Sequence, residues 1–139
     1  MSLSWSPKLA LGVTRVDAQH RRLFERANAL LAALGSGNGE GEVRRLATFL
    51  NDYVIRHFQD EERIMREHGY PEYPAHRRLH DTFAAGLADI GARLAKKADT
   101  ALVLEIHEYT CRWLIEHIGG ADRAIARFLA RRSPSRTSS

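Results

Sequence analysis

The sequence of 139 residues contains a single cysteine, Cys111. A single cysteine excludes a disulfide within the chain and any metal cluster built from thiolates. Such sparse cysteine is typical of a reducing compartment, and we expect a cytoplasmic protein. No apolar run approaches the roughly 18 residues of a membrane span, and the polar start of the chain lacks the basic and apolar regions of a secretory signal. We therefore expect neither a membrane span nor a signal.

Clusters of basic residues with interleaved aromatic residues are also lacking. The formal net charge is +4, from 21 Lys and Arg against 17 Asp and Glu. Charges of both signs alternate in stretches such as 60–63, which is typical of a solvated helix face. Nucleic-acid sites combine basic clusters with aromatic platforms, so we predict no nucleic-acid partner. Part of the positive excess lies near the C-terminus, at Arg127, Arg131, Arg132 and Arg136.

Apolar residues recur at steps of three and four residues over four stretches, which predicts amphipathic helices. The first begins at Asp17, a suitable N-cap, and ends at the glycine-rich loop 35–39. The second covers 41–67 and ends before the proline-containing segment 69–74, because proline cannot continue a helix. The third and fourth cover 75–96 and a stretch that begins at Asp99 or Thr100.

Four helices of similar length with short connections predict an all-α fold, an antiparallel up-and-down four-helix bundle. No stretch alternates with a period of two for long enough to predict a strand. We expect residues 1–16 to form an extended N-terminal arm and residues 17–131 to form the bundle, which ends in a short C-terminal helical extension. Residues 132–139 are predicted to be a disordered basic, serine-rich tail.

Histidines on the apolar helix faces are the unusual feature of this chain. Residues four apart on a helix point the same way, so His57 pairs with Glu61 and His76 pairs with His80. His20 and His117 share the apolar faces of the first and fourth helices. Several unpaired imidazoles and a carboxylate in one core would be costly, whereas a bound cation would turn them into ligands. We therefore predict a metal site inside the bundle.

The donor types restrict the metal. Imidazoles and carboxylates without thiolates suit iron, manganese, zinc or nickel. The zinc protease motif HExxH is absent, and no histidine has a glutamate three residues before it, as the carboxylate-rich di-iron bundles require. The residues alone leave these four metals open.

The sequence around the predicted ligands resembles the hemerythrin family in its bacterial single-domain form. The resemblance covers residues 5–130, including Trp5 and 11–13 in the arm and 69–71 between the second and third helices. The motifs that carry it are Val16-Asp17-Ala18-Gln19-His20, His57-Phe58-Gln59-Asp60-Glu61-Glu62, His76-Arg77-Arg78-Leu79-His80 and Trp113-Leu114-Ile115-Glu116-His117-Ile118, followed by Asp122.

This resemblance implies a centre of two non-haem iron ions. One iron would be bound by His76, His80 and His117, and the other by His20 and His57. Both would be bridged by Glu61, Asp122 and an oxo or hydroxo group. The first iron would then have six ligands, and the second would have five ligands and an open position.

The resemblance further implies reversible dioxygen binding, for oxygen carriage, storage or delivery, and no enzymatic activity. Dioxygen would bind end-on at the five-coordinate iron as a peroxide. We expect an apolar pocket there, formed by Trp113, Leu114, Ile118 and Met65. Nitric oxide is a further candidate ligand, as are azide and other small anions. An unidentified protein client is a candidate partner. Two alternatives stay open: an oxygen- or redox-sensing module that acts through a separate partner, and a di-iron peroxidase or nitric oxide reductase.

Three positions carry separate expectations. Asp122 follows His117 by five residues, about 140° around a regular helix, and we expect Gly119 and Gly120 to allow a local departure through dihedral angles that other residues avoid. His68 ends the second helix, where an imidazolium suits the helix dipole. His107 lies between glutamates and is expected on the surface.

Overall fold

The computed structural model describes residues 5–36 and 39–132, and every regular element within them is helical. None of the helices in this part of the chain is long and apolar enough to cross a membrane. A single 3₁₀ turn, Pro7–Leu9, precedes the first long helix. The others are α1 (Thr14–Ser36), α2 (Gly39–Glu67), α3 (Tyr73–Lys96), α4 (Thr100–His117), a π-helical turn (Ile118–Asp122) and α5 (Arg123–Arg132).

Helices α1 to α4 form the predicted four-helix bundle. Each packs against two others, α1 and α3 both lying between α2 and α4. Short connections between helices of this length give an antiparallel arrangement. Their apolar faces meet in one core, whose fully buried members include Leu23, Phe24, Leu50, Phe83 and Ile106. The predicted fold class is confirmed, and the helical bounds differ from those predicted by a few residues.

Asp17 has a different role from the predicted N-cap. Helix α1 already begins at Thr14, so Asp17 lies in its first turn. The Asp17 carboxylate accepts hydrogen bonds from the backbone N–H groups of Leu11, at 2.9 Å, and Gly12, at 3.3 Å. Gly12 adopts a left-handed φ of 82°, which favours glycine. Asp17 therefore holds the N-terminal arm against the start of α1.

Helix α5 is the predicted C-terminal extension, and it packs against the end of α2. Met65 of α2, Tyr70 of the following connection and Ile125 of α5 form a second apolar cluster. The guanidinium of Arg123 donates a hydrogen bond of 2.9 Å to the carbonyl of Lys8, which joins α5 to the arm. The predicted disordered tail lies outside the described residues from position 133 onward.

Candidate metal centre

Seven buried side chains meet in the interior of the bundle, each no more than 6% exposed. They form two groups in which one ligand atom from each residue lies within 4.8 Å of all the others. Two carboxylates belong to both groups. The groups are Glu61, His76, His80, His117 and Asp122, and His20, His57, Glu61 and Asp122. The structure thus brings together all seven residues that the sequence analysis selected as metal ligands.

The imidazoles of each group turn their Nε2 atoms toward a common point. In the first group, His80 Nε2 lies 3.1 Å from His76 Nε2 and 3.2 Å from His117 Nε2. In the second group, the Nε2 atoms of His20 and His57 are 3.1 Å apart. Nitrogen lone pairs converging in this way form a metal-binding arrangement, three imidazoles on one side and two on the other.

Each carboxylate directs one oxygen toward the group with three imidazoles and the other oxygen toward the group with two. Glu61 Oε1 lies 2.8 Å from His76 Nε2, whereas Oε2 lies 3.6 Å from His57 Nε2. Asp122 Oδ1 lies 3.0 Å from His117 Nε2, whereas Oδ2 lies 3.1 Å from His20 Nε2. A carboxylate with its two oxygens directed at two neighbouring positions can bridge two cations.

The π-helical turn explains how Asp122 reaches the site. In this turn the Arg123 N–H donates to the carbonyl of Ile118, five residues earlier, so the turn is wider than an α-helical one. The wider turn rotates Asp122 onto the side that His117 faces. Neither Gly119 nor Gly120 has a positive φ. The expected departure from a regular helix is present, but it does not use the unusual glycine dihedral angles that we expected.

The residues present fit a pair of metal ions. Asp122 is only 1% exposed, and neither of its oxygens has a hydrogen-bond partner among the described residues. The nearby Nε2 atoms therefore face these oxygens without the geometry of hydrogen bonds. A buried carboxylate without hydrogen bonds is unfavourable, and a cation would satisfy it. The donor set of imidazoles and carboxylates suits iron, manganese, zinc or nickel.

The histidines of the site differ in the direction in which their pKa values are shifted. Burial lowers the pKa of His57 to about 4, against an opposing effect of Glu61. Burial also lowers the pKa of His76, but the Asp122 and Glu61 carboxylates outweigh it and raise that pKa to about 9. The pKa of His117 is raised for the same reason. Burial raises the pKa of Glu61, but its hydrogen bonds with nearby imidazoles outweigh burial and lower that pKa. At Asp122, burial and the charge of Glu61 raise the pKa, but the charge of the nearby His117 contributes to a net lowering. In the absence of metal, the carboxylates hold protons on His76 and His117.

Aromatic rings pack against imidazoles on the three-histidine side of the site. Phe58 stacks on His80 with ring centroids 3.8 Å apart, and Trp113 stacks on His117 at 4.1 Å. Leu114 and Ile118 are buried in the main core, and Trp113, half-buried, packs against it. Met65 packs instead in the second cluster, beneath α5. Its predicted place in the oxygen pocket stays a prediction.

The expectation that His107 lies on the surface is wrong. His107 is 4% exposed, and its Nε2 donates a 2.8 Å hydrogen bond to Asn28 Oδ1 on α1. Its glutamate neighbours in sequence are exposed, but at about 100° per residue they point away from the face on which His107 lies. Cys111, one turn further along α4, lies 3.8 Å from the same nitrogen, and burial raises its pKa to about 11. His68 follows the end of α2, and its Nδ1 donates to the carbonyl of Ile64 at 2.9 Å.

Two residues beside the site were not predicted from the sequence as site residues. Gln19 Oε1 lies 2.8 Å from His57 Nδ1, and Glu62 Oε2 lies 2.8 Å from His80 Nδ1. Both are immediate sequence neighbours of selected ligands, Gln19 of His20 and Glu62 of Glu61. A polar residue beside a ligand on the same helix is a weak signal, because such neighbours are common on helix surfaces.

Comparisons with known proteins show the family of this chain. A family model described as "Hemerythrin HHE cation binding domain" matches residues 11–129. Similar relatives include bacteriohemerythrins from Stenotrophomonas maltophilia (strain R551-3), 36% identical over 89% of this chain and 79% of the relative, and from Methylococcus capsulatus (strain ATCC 33009 / NCIMB 11132 / Bath), 30% identical over 87% of this chain and 92% of the relative. A crystal structure of wild-type hemerythrin has a TM-score of 0.80 and 25% identity, covering 91% of this chain and 97% of that chain. The chain belongs to the hemerythrin family.

Proposed function

We propose that this protein binds dioxygen reversibly at a centre of two non-haem iron ions and serves in oxygen carriage, storage or delivery. The observation that carries this proposal is the unequal supply of ligands to two adjacent positions. Both positions receive one oxygen from Glu61 and one from Asp122, but one position has three imidazoles and the other has two. The second position is therefore one protein ligand short, and a small molecule can bind there.

In this proposal, His76, His80 and His117 hold one iron, and His20 and His57 hold the other. Glu61 and Asp122 would each offer one oxygen to either iron. A ferrous pair held there would supply the electrons for reversible binding of dioxygen. Imidazole and carboxylate donors suit iron, and their burial keeps bulk water from the centre, which slows irreversible oxidation.

The side chains that we assign to the oxygen pocket support carriage over catalysis. Leu114 and Ile118 are buried and apolar, and Trp113 stacks on His117, which belongs to the three-histidine position. None of these three carries an acid or base that could protonate and cleave a bound oxygen molecule. An apolar lining favours an uncharged diatomic ligand and its release unchanged.

The test is an optical titration of the protein loaded anaerobically with ferrous iron, then exposed to air and purged again. We expect two irons per chain and a visible absorption band that appears with oxygen and disappears on purging. His57→Ala should lose iron and the band. His68→Ala is a matched control, because it removes a histidine outside the centre, and it should retain both. Rapid, irreversible oxidation would contradict reversible carriage and favour the sensor or the enzyme.

A further inference from the structure

His80 and His57 each have an outer ring nitrogen, Nδ1, that faces away from the proposed metal position, and the two nitrogens have different hydrogen-bond partners. His80 Nδ1 donates to the Glu62 carboxylate at 2.8 Å, and His57 Nδ1 donates to the Gln19 amide oxygen, also at 2.8 Å. The orientation of the Gln19 amide is set by its nitrogen, which donates to Asp60 Oδ2 at 3.0 Å. Because both outer partners accept hydrogen bonds, each imidazole carries its proton on Nδ1 and presents the Nε2 lone pair to the metal position.

The two partners differ in charge. Glu62 brings a carboxylate into direct contact with an imidazole of the three-histidine position. On the two-histidine side, the neutral Gln19 separates His57 from the carboxylate of Asp60. That carboxylate is also engaged by Arg15 at 3.1 Å and Arg63 at 3.2 Å, so two guanidinium groups offset its charge.

Charge on the outer partner changes the strength of the inner donor. A carboxylate that accepts the Nδ1–H proton makes the imidazole a more basic ligand than an amide does, and outer partners of this kind change metal affinity by about 10- to 100-fold. The remaining histidine of the two-histidine position, His20, has a buried Nδ1 without a hydrogen-bond partner among the described residues. The two-histidine position therefore has fewer imidazoles, and neither of them has a carboxylate at its outer nitrogen among the described residues.

We propose that Glu62 and Gln19 are positioning residues that set the order in which the centre binds its two metal ions. Glu62 strengthens the three-histidine position, which fills first and holds its ion more tightly. Gln19 orients His57 without strengthening it, so the two-histidine position fills second and releases its ion first. This inference rests on the proposed two-metal centre, and it concerns loading, not oxygen binding.

The test is an anaerobic titration of the metal-free, full-length protein with cobalt(II), followed by visible absorption. We expect wild-type protein to bind two ions in two resolved steps. Glu62→Gln keeps the size of the side chain and removes its charge, and it should weaken the first step by about 10- to 100-fold and leave the second nearly unchanged. Gln19→Glu adds the charge on the other side and should strengthen the second step by about 10-fold.

A matched control separates this effect from the general loss of a negative charge. Glu67→Gln removes an exposed carboxylate from the end of the same helix, and it should leave both steps unchanged. A merely structural role for Gln19 would make Gln19→Glu neutral or harmful, so a gain in affinity is specific to the proposal. Circular dichroism melts of the metal-free variants confirm that each is folded before titration.

The outcomes separate the inference from the function on which it rests. If Glu62→Gln and Gln19→Glu each bind two ions with the same affinities as the wild-type protein, the loading order is overturned and the two-metal centre stands. Equal weakening of both steps by Glu62→Gln would also overturn it. Binding of fewer than two cobalt ions by the folded wild-type protein would instead contradict the proposed centre.

Discussion

The Tyr109 hydroxyl lies in the space that a side chain at Gly86 would enter, so α4 and α3 approach each other there as closely as a glycine allows. The same hydroxyl donates a 3.2 Å hydrogen bond to the carbonyl of Phe83. The Tyr109 ring also stacks on the Phe83 ring, with centroids 4.9 Å apart. Gly86 thus permits a contact that joins the two helices two turns from His117, a proposed metal ligand.

Gly86→Ala should destabilise the protein, because the added methyl group must displace the Tyr109 ring from its stacked position. We expect the free energy of unfolding to fall by about 1–3 kcal/mol, the usual cost of overpacking, measured by urea denaturation. Gly91→Ala is the control on the same helix, since its methyl group would meet no atom within 4 Å. It should be neutral or stabilising by up to about 1 kcal/mol, from helix propensity. Equal effects of the two changes would contradict this contact.

Gly119→Ala and Gly120→Ala should each retain the metal centre. Neither glycine has a positive φ, and a methyl group at either would enter open space. Alanine is the better helix former by about 1 kcal/mol, so stability should be equal or higher. Iron content per chain measures the outcome, with Asp122→Asn as the positive control that should lose iron. Iron loss in either alanine variant would show that the π-helical turn needs glycine.

Asn28→Ala should destabilise the bundle without affecting the metal centre. It removes the half-buried acceptor of the hydrogen bond from the buried His107, and an unsatisfied buried donor costs about 1–3 kcal/mol. His107 lies ten residues before His117 on α4, about 15 Å along the helix, so two metal ions should still bind. Denaturation and metal analysis of the same sample measure both effects.

Asn51→Ala is the control for that change, because it removes a half-buried amide from α2. We expect it to alter the free energy of unfolding by less than about 0.5 kcal/mol, as most changes away from buried networks do. Comparable losses in the two variants would contradict a specific role for the Asn28–His107 hydrogen bond.

The metal-free protein should be most stable near pH 6.5. The pKa of His76 is raised from 6.5 to about 9, so between these values the folded state holds a proton that the unfolded chain has lost. Its contribution is complete below pH 6.5 and disappears as the pH rises to 9. The pKa of His57 is lowered from 6.5 to about 4, so between these values only the unfolded chain binds that proton. Stability therefore also falls as the pH drops from 6.5 to 4.

Urea denaturation across pH 4.5–9 with a chelator present measures this profile. Each unit of pKa difference corresponds to about 1.4 kcal/mol. His76→Gln should flatten the alkaline side of the profile and His57→Gln the acidic side. A metal-free protein whose stability does not change between pH 6.5 and 9 would contradict the raised pKa of His76.

Much of the fold followed from local pattern. The spacing of apolar residues predicted four helices because one face of each must be buried, and a helix repeats its face every 3.6 residues. The same periodicity put His20, His57, His76, His80 and His117 on buried faces. The donor types restricted the metal, and the combination of motifs, not the periodicity, indicated the di-iron assignment.

The rest depended on contacts that the periodicity of apolar residues does not show. The glutamates beside His107 suggested a surface position, but α1 covers that face of α4 and supplies Asn28 as its partner. Asp17 resembled a helix cap, and packing of the arm turned it into an acceptor for Leu11 and Gly12. The Asn28–His107 contact joins residues 79 positions apart, which only folding brings together. The Asp17 contacts span only five and six residues, but they depend on the left-handed backbone at Gly12, which helical periodicity does not show.

The sequence by itself determined which residue types line the interior, because helical periodicity and burial act along each helix separately. Only the tertiary structure decided how those residues are divided between two adjacent groups of imidazoles that share two carboxylates. The wide turn at Ile118–Asp122 rotates Asp122 toward His117, and the packing of α2 against α3 and α1 directs one oxygen of Glu61 to either side. The two groups take side chains from α1 to α4 and from the π-helical turn. The relative placement of these elements is a property of packing that no single helix contains.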